Sequence, residues 1–286
     1  MNIRTRFIFI SLIAIYFLTN VALVAVTEKV KSKDGVEIAY TVEGSGEPAL
    51  VFIHGWSCDR SYWDNQVKTF SPKYKVVTID LAGHGESGMN RNNYTMELFG
   101  EDVVTVVNKL KLKKVILIGH SMGGYVIIEA ARRLPGKVIG LVGADTYQGL
   151  EDEMTPEQID KFIKPFKENF IEKTKEFVKI MFPPTADSAL VKKVSDDMSA
   201  APPLIAISAL QNLFGYLAFK VLKDMNAPII SINCDRYPIN VEETRKHVKS
   251  FEVKMMKGVG HFVMLEDPAK FNQLLQEAIN ELSEKK

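Results

Sequence analysis

The tightest constraint on the fold lies near the middle of the chain. There the apolar run Val115-Ile116-Leu117-Ile118 leads straight into Gly119-His120-Ser121-Met122-Gly123. A helix-forming stretch follows over 122–133 and is closed by Pro135-Gly136. A strand must therefore turn sharply into a helix within a few residues. Glycines stand at both second neighbours of the serine, which suits such a turn because backbone passes close on either side and a Cβ would clash. The turn lifts the serine hydroxyl clear of the strand ends, above a helix N-terminus. Glycine and serine are common, so this G-x-S-x-G motif takes its meaning from its flanking elements and from the residues found elsewhere.

From Thr27 onward, short β-branched runs alternate with helical stretches, the pattern of a mainly parallel α/β sheet. Segments 29–33 and 36–43 read as an opening hairpin around Asp34-Gly35. Buried-type strands are expected at 49–53, 74–79, 115–118, 138–144, 229–232 and 251–256. Helices are expected near 61–70, 95–110, 122–133, 241–248 and 268–282. The alternation breaks once, between Tyr147 and about Lys223, where amphipathic pieces such as Ile159, Phe162, Ile163, Phe166 and Phe170 replace strand-like runs. Pro165 should start or kink a helix there, and Pro183-Pro184 and Pro202-Pro203 should separate others. The expectation is an α/β core over 27–146 and 224–286, with a helical lid over 147–223 inserted between two strands.

With 286 residues and 46% hydrophobic content, the chain can bury one large core with or without an appendage. The net charge of +1, without a block of like charge, argues against a nucleic-acid partner. Neither a zinc-type Cys/His spacing nor a calcium loop is present, so no metal is implied. Cys58 and Cys234 read as buried free thiols, with a disulfide as the alternative in an oxidising compartment. Arg4 and Arg6 precede the apolar stretch beginning at Phe7, so residues 1–26 read either as a secretory signal or as an uncleaved membrane anchor. Either reading puts the remainder outside the cytoplasm.

Serine becomes a useful nucleophile only beside a base that is itself oriented by an acid. In a strand–elbow–helix setting the partners follow in the order Ser, acid, His. Of five histidines only His247 and His261 come late enough. His247 lies in the charged run Glu242-Glu243-Thr244-Arg245-Lys246 and reads as solvated, whereas His261 sits in Gly258-Val259-Gly260-His261-Phe262 just past the last strand. His261 is the expected base. The developing oxyanion needs backbone donors. Met122, the residue after the serine, should supply one, and Trp56 in His54-Gly55-Trp56-Ser57 the other.

Taken together, these landmarks resemble the α/β-hydrolase superfamily over nearly all of 27–284. The matching segments are His54-Gly55 with Trp63 downstream, Asp80-Leu81-Ala82-Gly83-His84-Gly85-Glu86-Ser87, the Ser121 motif, and Gly260-His261-Phe262 followed by Glu266-Asp267-Pro268. The resemblance implies an eight-stranded, mostly parallel sheet with helices on both faces. It implies structural roles for Asp80 and His84, and an elbow-shaping role for His120. It further implies a serine hydrolase that cleaves a carboxylic ester or related acyl bond on a small-molecule substrate, with no cofactor. A non-catalytic ligand-binding relative and an acyltransferase are the alternatives. The acid departs from the pattern, because its usual place after the strand near Pro228 falls on Tyr237. Asp145, after the strand 138–144, and Asp235 both remain candidates. Phe162, Phe166, Phe170, Phe177 and Phe182 are candidates to line an acyl pocket, although most are expected to pack the lid onto the sheet.

Overall fold

The computed structural model describes residues 26–150, 153–223 and 225–284. Its sheet comprises β1 (Glu28–Lys31), β2 (Glu37–Glu43), β3 (Ala49–Ile53), β4 (Val76–Ile79), β5 (Val115–His120), β6 (Val138–Ala144), β7 (Ile229–Cys234) and β8 (Phe251–Met256). The spatial order is β1-β2-β4-β3-β5-β6-β7-β8. The β1–β2 and β2–β4 pairs are antiparallel, and every pair from β4 to β8 is parallel. Strands β3, β5 and β7 are buried along their whole length, without alternation, because helices cover both faces.

The helices of the core are α1 (Asp64–Phe70), α2 (Met96–Lys109) and α3 (Met122–Arg132). Between β6 and β7 the chain forms α4 (Pro156–Glu168), α5 (Phe170–Met181), α6 (Ser188–Ser199), α7 (Pro203–Phe214) and α8 (Ala218–Leu222). After β7 come α9 (Val241–Thr244), α10 (Val263–Glu266) and α11 (Pro268–Glu284). Helix α3 packs on β3, β5 and β6 and against α2, while α11 packs on β6, β7 and β8 and against α1. Trp63 is fully buried, with its ring 5.1 Å from Phe52 and 6.2 Å from Phe271. It thereby ties the sheet to α11.

Local chemistry explains the inserted helices. Thr155 caps α4 in a reciprocal box with Gln158, and Pro156 occupies its first turn. Pro165 sits inside α4 rather than starting it, and the helix continues to Glu168. Asn169 then ends α4 and caps α5. The insert is tied to the core by the Trp56 indole N–H, which donates to the Ala206 carbonyl at 2.7 Å. The Tyr216 hydroxyl adds a second tie, donating to Glu129 at 2.6 Å.

Two local expectations need correction. Helix α9 stops at Thr244, so His247 lies beyond it, half-buried with its ring 5.8 Å from Phe219. Segment 61–70 divides into a 3-10 turn at Arg60–Trp63 and α1, with Asp59 capping the turn. Both cysteines are free and buried. The expected signal or anchor, 1–26, lies outside the described residues apart from Val26. Among the described residues no helix is long and apolar enough to cross a membrane.

Candidate active site

The turn after β5 places Ser121 at φ 51° and ψ −118°, a strained conformation for a residue with a Cβ. The strain is held from three sides. The Ser121 amide donates to the Ala144 carbonyl at 3.1 Å, and its carbonyl accepts from the Gly124 amide and the Thr146 hydroxyl, each at 2.9 Å. The flanking glycines are sterically required. A Cβ at Gly119 would collide with the Gly123 carbonyl, and one at Gly123 would lie 2.6 Å from the His54 carbonyl oxygen. The serine side chain makes no capping bond to α3, which leaves its hydroxyl free to face the cavity it lines.

Asp145 follows the last residue of β6 at φ 43°. Its amide donates to the Ile232 carbonyl at 2.9 Å, which continues the β6–β7 pairing by one residue and turns the carboxylate inward. One oxygen, Oδ1, accepts from the Cys234 amide at 2.9 Å and the Gln148 side chain at 3.3 Å. The other, Oδ2, accepts from His261 Nδ1 at 2.6 Å. An ionised carboxylate only accepts, so Nδ1 is the donor and the neutral imidazole tautomer compatible with this bond has its lone pair on Nε2. Asp235, by contrast, is exposed beyond β7, and its amide pairs with the Met256 carbonyl. Among the described residues nothing joins it to His261. The end of β7 thus contributes the Cys234 amide that fixes Asp145, while Tyr237 borders the cavity and its hydroxyl donates to the Ile180 carbonyl at 3.3 Å.

The loop bearing His261 is clamped by residues that sequence reasoning did not single out as functional. Glu266 accepts from the amides of Gly260 at 2.8 Å and Phe262 at 3.1 Å, on either side of the histidine. Burial raises the Glu266 carboxyl, against those two bonds. The His261 amide donates to the Met181 carbonyl at 2.9 Å, and His120 Nε2 donates to the His261 carbonyl at 3.0 Å. His120 is pressed well below the ordinary histidine range by burial and then by the facing His261, so its imidazole is neutral. The available signal for Glu266 was an acid five residues after the candidate base, just ahead of Asp267-Pro268.

Ser121, His261, Trp56 and Met122 border one cavity of about 360 Å³. The Met122 amide opens α3 and has no carbonyl to bond within the helix. Among the described residues no backbone carbonyl accepts from the Trp56 amide either. Among the described residues that line the cavity, Asp145 stands alone as an Asp, Glu, Lys or Arg beside the two histidines, and it is engaged on both oxygens. The remaining wall is mostly apolar, with Phe177, Met181, Met198, Leu210 and Phe214. Of the five phenylalanines expected as candidates for an acyl pocket, only Phe177 borders it. Phe166 and Phe170 pack edge-on against Trp56, Phe162 against Phe214, and Phe182 stacks on Phe262. Asp80 is buried beneath the loop it organises, accepting from the amides of Arg60 at 2.8 Å and Glu86 at 2.9 Å. Among the described residues no group of side chains could hold a metal ion.

This arrangement can be set beside known proteins. Residues 50–274 match the model of the alpha/beta hydrolase family. Over 272 residues the chain is 27% identical to the non-heme chloroperoxidase CPO-A1 of Kitasatospora aureofaciens, covering 87% of this chain and 98% of that protein. A thermophilic esterase from Thermogutta terrifontis superposes with a TM-score of 0.79 at 22% identity, over 90% of this chain and 99% of that one. A bromoperoxidase from Bacillus anthracis superposes at 0.80 and 22% identity, over 89% and 100% of the two chains. The two superpositions speak for the fold, and the match over 50–274 decides the family. The chain belongs to the alpha/beta hydrolase family.

Proposed function

We propose that this hydrolase cleaves an uncharged carboxylic ester through an acyl-serine intermediate. The observation that carries the reading is the pairing of His261 with the buried Asp145, at 2.6 Å, in the wall of the cavity that Ser121 borders. Ser121 Oγ attacks the ester carbonyl carbon while His261 Nε2 takes its proton. The carbonyl oxygen becomes an oxyanion held by the amides of Trp56 and Met122. As the tetrahedral adduct collapses, His261 returns the proton to the departing alkoxide, and the alcohol leaves. Water then attacks the acyl-serine by the same route and releases the carboxylic acid. Asp145 stabilises the imidazolium at each stage and fixes the ring. The lining supports an uncharged substrate, since among its described residues no unpaired charge offsets the desolvation of an ionic group.

In this reading helices α4 to α8 form a cap that selects the substrate, and residues 1–26 direct the protein out of the cytoplasm. Fractionation of cells expressing the full chain tests the second point.

The decisive experiment treats the purified protein with a fluorophosphonate and assays it on p-nitrophenyl esters. Label on Ser121, lost in Ser121→Ala together with esterase activity, is the expected result. Turnover that survives Ser121→Ala would remove the acyl-serine. The chloroperoxidase relative favours a second reading of the same site. Hydrogen peroxide in place of water would convert the acyl-serine to a peracid, which oxidises halide outside the enzyme. Bromination that requires a carboxylic acid, peroxide and Ser121 together would establish it.

A further inference from the structure

Two apolar cavities meet across α5. Phe177 and Ile180 border the catalytic cavity, and the same two side chains line an open groove of about 560 Å³ between α4 and α5. The groove has a regular construction. Gln158, Lys161, Phe162 and Pro165 on α4 and Lys173, Glu176, Phe177 and Ile180 on α5 face it at i, i+3, i+4, i+7 spacing, so each helix lends two apolar and two polar side chains to its wall. Here Phe162, Pro165 and Phe166 form an apolar floor that stays open. Ile180, at the boundary with the catalytic cavity, is 65% exposed. An apolar groove with an exposed isoleucine at its junction with a reaction site calls for an apolar occupant that arrives with the substrate.

We propose that the α4–α5 groove is the outer half of the substrate site and binds the distal part of a linear acyl chain whose carbonyl lies at Ser121. The proposal rests on the acyl-serine reading above. The leaving oxygen must face His261, which returns the proton, whereas the acyl carbonyl faces the Trp56 amide. The wall shared with the groove adjoins both, with Phe177 6.1 Å from the Trp56 indole and Met181, next to Ile180, accepting from the His261 amide; the acyl chain is assigned to it, and an ester with its chain on the alcohol side is the check. The catalytic cavity alone, at about 360 Å³, is near the lower end of ligand-site volumes and suits a short chain. A longer chain passes Phe177 and Ile180 and continues over Phe162 and Pro165. Each methylene withdrawn from water there can raise kcat/KM by up to about fourfold.

The test compares wild type with Pro165→Glu on p-nitrophenyl alkanoates from acetate to dodecanoate, below their aggregation limits. Glutamate puts a carboxylate in the groove and restores a backbone donor to α4, so the substitution favours the helix. Wild type should gain steadily through dodecanoate. The variant should match it within about twofold up to butyrate and fall at least about tenfold behind at dodecanoate. Equal profiles, or a loss independent of length, overturn the groove. Dodecyl acetate carries the chain on the alcohol side, and a selective loss of the variant on that ester overturns the acyl assignment. Binding is read separately in Ser121→Ala through tryptophan fluorescence. There 1-dodecanol should bind at least about tenfold more tightly than 1-hexanol, and adding Pro165→Glu should abolish the difference. Chain-selective binding without Ser121-dependent turnover removes the acyl-serine reading and leaves the groove as a ligand site. Turnover without chain selectivity in either assay does the reverse.

Discussion

Asp145 has one oxygen for the base and one for the scaffold, and the two are not interchangeable. Oδ2 holds His261, while Oδ1 holds the Cys234 amide and so keeps the carboxylate from rotating away. Asp145→Asn replaces one acceptor with a donor and disturbs the imidazole tautomer. Turnover on a p-nitrophenyl ester is expected to fall by roughly 10⁴-fold, whereas Asp235→Asn should stay within about threefold. The opposite ranking would transfer the role to Asp235. Glu266→Gln offers a gentler check. Its amide can accept from one of the Gly260 and Phe262 amides but not both, so kcat should drop by about tenfold with KM little changed. Motif and order alone pick out Ser121, His261, Trp56 and Met122, which the fold brings to one cavity, because each is marked by its immediate neighbours. The choice between Asp145 and Asp235 is beyond them, since both obey the same order. It turns on which side of β7 the carboxylate meets the imidazole.

At the level of elements, the elbow is the rigid part. Gly123→Ala would press a methyl against the carbonyls of Ile53 and His54, and backbone cannot yield there. A loss of about 3 kcal/mol or outright failure to fold is expected in urea denaturation. Gly136 gives the contrast. Its φ is +76°, but a Cβ there would meet nothing within 4 Å beyond its chain neighbours, so Gly136→Ala should cost only about 1–2 kcal/mol of backbone strain. If both variants lost the same stability, close approach would not be the reason for Gly123. The strands and long helices were legible to within a few residues, since their apolar periodicity is local. Boundaries moved where side chains decide, as at Asp59, whose cap converts the start of a helix into a separate turn. The open face between α4 and α5 was not legible, because an amphipathic stripe reads the same whether it is buried against a neighbour or left for a ligand.

Across the whole molecule, three histidines are sealed inside the core uncharged. Burial lowers His54 to about 4 and His84 to about 3, and presses His120 well below its usual value. Their hydrogen bonds agree with neutrality: His54 Nδ1 donates to the Gly55 carbonyl at 2.8 Å while Nε2 accepts from the Leu81 amide at 3.0 Å. In the unfolded chain each titrates near 6.5. Below that pH the unfolded chain binds protons that the folded chain refuses. Stability is therefore fully present above about pH 6.5 and is lost as pH falls towards the folded values, by up to about 1.4 kcal/mol per unit for each histidine. Asp80 and Asp102, raised by burial, act in the opposite sense by protonating first in the folded state. Urea unfolding at pH 7 and pH 5 should show the loss. His84→Asn, whose amide can still donate to the Ala82 carbonyl, should recover about 2 kcal/mol of it. An unchanged pH slope in that variant would mean that His84 is not neutral in the fold.

By itself the sequence determined the parallel α/β core and the strained serine turn and singled out His261 from the other histidines, since these depend on periodicity, backbone sterics and chain order. Only the tertiary structure decided that Asp145 reaches His261, that Glu266 and His120 clamp the His261 loop, and that the α4–α5 groove adjoins the cavity bordered by Ser121. Each of those is a contact between segments remote along the chain, set by how β6, β7 and the inserted helices pack, and local residue patterns carry no record of that packing.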